Sequence, residues 1–345
     1  MEVRHENTLH NHPRTADELA KRAAAIPPAN EWNKVRKLAL RHLNRFMSLE
    51  PKVLKGDDPD AIHDMRVASR RLQQVLDLIF TKPLPREVRR LRRKIRRCRR
   101  ALGEVRNCDV MLEHVEGRLA RRRSSSPEAW AAVKQYLLER RSESFARAIR
   151  KLSNMNLALF YMHAKEILGR LKSTPETGGV SHPLMQPGGQ AFEPFPQRLT
   201  QALVGVWGNF EKQVAVSHQE VTPSSIHAAR ICAKRLRYLL EVVNQFGIPG
   251  SSGALAWLRR LQQHLGDWHD MEVLEDMIID MIAKPEFLRD QLPLALAIGK
   301  LILRSRVTKQ RFREKYFQMT LASSEYQGIK GWVQGLLASP DSDKA

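Results

Sequence analysis

His63, Arg66 and Arg70 stand at i, i+3 and i+7, and His227, Arg230 and Lys234 repeat the arrangement 164 residues later. At 100° per residue each set falls on one helical face, joined by Gln73 in the first copy and Arg237 in the second. Guanidinium forks grip phosphate oxygens in pairs, an ammonium supplies point charge, and a protonated imidazole donates to the same oxygens. A third row, Arg89, Arg93, Arg96 and Arg100, runs at i, i+4, i+7 and i+11, flanked by Arg90 and Arg97. No acidic residue is interleaved, so each i,i+4 pair repels by a few tenths of a kcal/mol. Cationic rows at helical spacing call for an anionic partner that is itself repetitive. His63-Asp64 resembles a metal-hydrolase pair, but the second copy has Ala228 in place of the acid, so no catalytic residue is assigned.

The elements that must position these rows are amphipathic helices. Met65, Ala68, Leu72, Val75, Leu76 and Ile79 share the side opposite His63, Arg66 and Arg70. Arg71, Leu72 and Leu76 recur at the same offset as Arg235, Leu236 and Leu240. Val88, Leu91, Ile95, Cys98, Leu102 and Val105 keep a 3.6 period under the arginine row, so a single helix is expected over 86–119. A helix is expected over 30–54, with Pro51 kinking or ending it, and Gly56–Asp60 forms a capped turn before the first His/Arg helix. Others are expected over about 128–152, 196–216, 226–241 and 292–319. Trp207, Trp257 and Trp268 fall on apolar periods and read as core.

The 345 residues carry a formal net charge of +21, of which residues 1–172 hold +19 and residues 173–345 hold +2. Such a bias points to a localised anion site rather than to general solubility. Three cysteines, Cys98, Cys108 and Cys232, form neither a disulfide framework nor a metal-ligand spacing, which fits a reducing, cytoplasmic setting. Asp267, His269, Asp270 and Glu272 could gather a divalent ion, but ion pairing on a helix surface is the simpler reading, and no metal or cofactor is expected. No apolar run spans a membrane, and the first 22 residues lack the apolar core of a secretory signal.

The expected organisation is a loose arm over 1–29, a first four-helix bundle over 30–172, a Gly/Pro-rich linker over 173–195, a second bundle over 196–324 and a tail over 325–345. The fold class is all-α, two four-helix bundles related by an internal pseudo-two-fold repeat.

The phrase IHDMRVASRRL, its second copy IHAARICAKRLRYLLE, and the paired LGEVRNCDV and LGDWHDMEV resemble the conserved-histidine α-helical domain, CHAD, over about Asn30 to Met319. The resemblance implies two bundles around a basic central channel that binds inorganic polyphosphate, in some members on polyphosphate granules. Its basic positions map onto His63, Arg66, Arg70, Arg71, His227, Arg230, Lys234, Arg235 and Arg237, with Gln73 as a departure that the arginine row would offset. The function expected is non-enzymatic polyphosphate binding. The alternative is a nucleic-acid binder using backbone charge alone, weakened by the absence of stacking aromatics or a groove-reading helix. Without a Walker-type loop, HExxH pair or nucleophile–base pair, an enzyme is not expected.

Overall fold

A computed structural model describes residues 28–80, 82–121, 126–171 and 194–336. Most of the expected N-terminal arm and linker, and the end of the tail, lie outside these residues. Among them no strand occurs, and thirteen helices account for the architecture. The first half holds α1 (Pro28–Ser48), α2 (Glu50–Lys55), α3 (Pro59–Ile79), α4 (Arg86–Ala101), α5 (Gly103–Leu119), α6 (Pro127–Ser153) and α7 (Leu157–Gly169). The second holds α8 (Phe195–Gln219), α9 (Pro223–Gln245), α10 (Ser251–Ile282), α11 (Pro285–Asp290), α12 (Leu292–Met319) and α13 (Ser324–Gly335).

The same pairings occur in each half. Helix α1 packs on α3 and α7 as α8 packs on α9 and α13. Helix α3 meets α4 as α9 meets α10, and α5 meets α6 as α10 meets α12. The halves touch through α3 against α9, α5 against α10 and α6 against α12, and through α8 against α1 and α3. The apolar interior is not divided at the linker. One core joins α1, α3, α4 and α7 to α8, α9 and the start of α10; the second joins α5 and α6 to the end of α10 and the start of α12. The first is sewn across the halves by Trp32 edge-on to Phe195 at 5.2 Å, and by Arg198 donating to the Ile79 carbonyl at 3.0 Å.

The two His/Arg helices start with strong caps. The Asp58 carboxylate accepts from Ala61 N–H at 2.9 Å at the start of α3, with Pro59 at the first turn. Thr222 and Ser225 form a reciprocal capping box at the start of α9. Apolar faces named from periodicity are buried as expected, including Met65, Leu72, Leu76, Val88, Ile95, Leu236 and the three tryptophans.

One expectation fails. The basic stretch 86–119 is two helices, broken at Leu102, whereas its counterpart α10 runs unbroken for 32 residues. The cause is a tertiary contact. Arg66 on α3 donates through Nη1 to the Arg99 carbonyl, and that nitrogen lies 3.5 Å from where a Cβ on Gly103 would sit. The guanidinium therefore satisfies a carbonyl at the end of α4 and takes the favourable position at the negative end of its dipole.

Candidate anion-binding site

The two His/Arg helices pack directly against each other, and their cations meet there. Helix α3 supplies His63, Arg66 and Arg70; α9 supplies His227, Arg230 and Lys234; α4 adds Arg99, α5 adds Arg106, and α10 adds His269 and Asp270. The electrostatic neighbours cross the halves. Arg70 acts on both Arg230 and Lys234, and Arg66 acts on Lys234. Arg99 also donates to Gln73 at 3.1 Å, so this residue, the departure in the first copy, holds a guanidinium rather than a ligand.

Every resolved shift of a cation at the heart of this cluster opposes its charge. Burial pushes Lys234 down to about 6, helped by Arg230 and Arg70. Burial and the neighbouring arginines bring Arg66, Arg99 and Arg230 to about 10. Burial also lowers His63, with Arg106 next in effect, and lowers His227, with Arg230 next. The ring of His227 lies 4.8 Å from that of His269, which burial, Arg230 and His227 push down to about 3. Asp270 is the carboxylate that offsets Arg230 and Lys234, and it sits 3.9 Å from His114. Asp60 and Asp64 help only at the His63 end. Arg230 is 9% exposed and its Nε has no hydrogen-bond partner among the described residues. Such an orphaned donor costs about 1–3 kcal/mol, which an incoming acceptor oxygen would recover.

The remaining residues named from sequence lie elsewhere. Arg71 donates to Glu241 at 2.9 Å, and Arg237 approaches the same carboxylate at 3.7 Å. Arg71 and Glu241 line a separate small pocket with His42, Tyr238 and Arg259. Arg235 is exposed and acts on Asp77, which Arg92 holds at 2.8 Å. Arg89, Arg93, Arg96, Arg97 and Arg100 are all exposed on α4 and form no ion pair with a described residue. Arg96 and Arg100 lie within electrostatic reach of Arg99, which ties the outer row to the cluster.

Arg99, Arg106, His269 and Asp270 were not marked as phosphate-binding from sequence. Arg99 and Arg106 are seven residues apart, with Gly103 between them on the same face. That small residue next to two arginines was the available signal. Asp267, His269, Asp270 and Glu272 do not converge. Gln263 donates to Asp267 at 2.8 Å, and Glu272 pairs with Lys309 at 2.5 Å. Among the described residues no three metal-ligating side chains come together, and no helix is long and apolar enough to cross a membrane.

An all-helical scaffold with its half-site pairings repeated, and with cations gathered where the two copies touch, is the class that fold and site define. The chain belongs to the CHAD domain family, which it matches over residues 14–278. Its fold is similar to the crystal structure of the CHAD domain from the plant Ricinus communis, with a TM-score of 0.59 and 20% identity over 83% of this chain and 91% of that one. It is also similar to PptA from Streptomyces chartreusis, with a TM-score of 0.53 and 14% identity over 83% of this chain and 97% of that one. No curated protein sequence matches the chain.

Proposed function

We propose that this chain is a cytoplasmic, non-enzymatic receptor for inorganic polyphosphate, binding it in a basic channel between the two halves. The observation that carries the reading is the convergence of Arg66, Arg70, Arg99, Arg230 and Lys234 across the α3–α9 contact, with charge-opposing shifts on four of them. A linear polyanion supplies closely spaced oxygens to all five and offsets the repulsion among them at once, and it favours the charged form of Lys234, which burial, Arg230 and Arg70 hold at about 6. The exposed α4 row extends this surface for a longer chain. Family membership supports a polyphosphate-related role, and the repeated pairings support a pseudo-two-fold axis along the site. Attachment to polyphosphate granules follows if the site accepts the polymer in that form.

The test is titration calorimetry of the purified protein with long-chain polyphosphate, in competition with DNA and RNA of matched charge. Preferential binding of polyphosphate, with log K falling linearly in log salt, is expected. Equal or stronger binding of nucleic acid would replace this reading with backbone-charge recognition. Phosphate release in the presence of Mg²⁺ would make the protein an enzyme.

A further inference from the structure

The polar row of each His/Arg helix ends in a carboxylate. Along α9 the face runs His227, Arg230, Lys234, Arg237 and then Glu241; along α3 it runs His63, Arg66, Arg70, Gln73 and then Asp77. At 100° per residue each acid falls about 20° from the cation seven positions before it, and about 10 Å further along the axis. Asp77 and Glu241 stand at the same 164-residue offset as the cations, so the acid is part of the repeat.

Both acids engage an arginine of the opposite half. Arg71 of α3 donates to Glu241 at 2.9 Å, and Arg237 lies 3.7 Å from the other carboxylate oxygen. The image of this contact is Arg235 of α9 acting on Asp77, which is paired with Arg92 at 2.8 Å. Burial pushes the Asp77 carboxyl up, and Arg92, Arg235 and Arg96 draw it back. The acids also border the cationic cluster. Arg96 acts on both Asp77 and Arg99. Tyr238 lines the pocket beside Glu241 and acts on both Arg99 and Arg230.

A polyanion therefore meets two different surfaces. Over the cluster it meets buried cations that repel one another. Past either acid it meets arginines that are already paired and a fixed negative charge that repels it. We propose that Asp77 and Glu241 determine the chain-length response of this site, each blunting the gain a polymer makes by extending past the cluster. This inference rests on the polyphosphate reading of the cluster.

Titration calorimetry of the wild type and of Asp77→Asn/Glu241→Gln, with tripolyphosphate and with long-chain polyphosphate, tests it. The near-isosteric amides release Arg71, Arg92, Arg235 and Arg237. Long-chain affinity should rise at least about tenfold, with a steeper dependence on salt as more phosphates are contacted. Tripolyphosphate, short enough to stay within the cluster, should gain about twofold or less. Asp290→Asn/Glu325→Gln makes the same change in net charge at exposed acids paired with Arg289 and Arg260, and should leave both affinities within about twofold. Because the two border acids also join the halves, circular dichroism checks the fold. Where the double variant unfolds, the single variants carry the test, each with a gain of about threefold. Unchanged or weaker long-chain affinity in folded variants, an equal gain for tripolyphosphate, or an equal gain in the control pair would each overturn the proposal and leave the binding reading intact. A wild type that binds neither probe would overturn both.

Discussion

Polyphosphate binding should be coupled to proton uptake at Lys234. In the free protein burial, Arg230 and Arg70 hold this amine at about 6, so it is largely neutral at pH 8. The groups facing it are Arg66 and Arg70 from α3, Arg230 from its own helix, and Asp270 from α10, which alone favours the charged form. A bound phosphate chain reverses that balance and the amine takes up a proton. Keeping the proton at pH 8 against a free-state value near 6 costs about 2.7 kcal/mol, or roughly a hundredfold in affinity. Affinity should therefore be flat below about pH 6 on account of this residue, then fall about tenfold per pH unit between roughly pH 7 and 9. Calorimetry in buffers of different ionisation enthalpy, with a polymer long enough that its terminal phosphates are negligible, should show close to one proton taken up at pH 8. Lys234→Arg keeps its charge and should flatten the profile. Free-protein stability carries the opposite signature. The unfolded amine binds its proton up to about 10.5 and the folded one only to about 6, so stability rises with pH across that window. A wild-type affinity that does not change between pH 7 and 9, or an unchanged slope in Lys234→Arg, would refute the reasoning.

Arg66→Ala and Arg230→Ala should each weaken polyphosphate binding by about 1–3 kcal/mol, with strong coupling in a double-mutant cycle on long chains and little on short ones. Their stabilities should diverge under chemical denaturation. Loss of Arg66 frees the Arg99 carbonyl and costs about 1 kcal/mol, while loss of Arg230 removes a buried, incompletely bonded charge and costs less. Replacing Arg89, Arg93, Arg96 and Arg100 with Gln should reduce affinity more than replacing Arg259 and Arg260, since Arg260 is already paired with Glu325; calorimetry on the two variants decides it. Gly56→Ala should cost about 2–4 kcal/mol in denaturation experiments and leave affinity unchanged, because Gly56 sits at φ +79° with the Phe145 ring 2.2 Å from the added carbon.

The sequence by itself determined the helices, their buried faces and the family. Period, caps and the 164-residue offset are local properties, readable wherever one helical face is apolar and the other is not. His63, Arg66, Arg70, His227, Arg230 and Lys234 were legible for the same reason, since each copy announces the other. Which of the named cations share a site was a tertiary matter. Arg71 sits one residue from Arg70, yet that single step of about 100° turns it to Glu241 and a different pocket. Arg99 and Arg106 are set apart from the surrounding arginines only by Gly103 between them on the same face, a local mark that names no partner. They belong to the cluster because α3 crosses the α4–α5 junction and places Arg66 against the Arg99 carbonyl. The same crossing breaks the basic helix at Leu102, where the local pattern continues without interruption. The pairing of α3 with α9 also decided the low proton affinity of Lys234, because an amine that is solvated on an isolated helix is desolvated and ringed by like charge only once the halves meet.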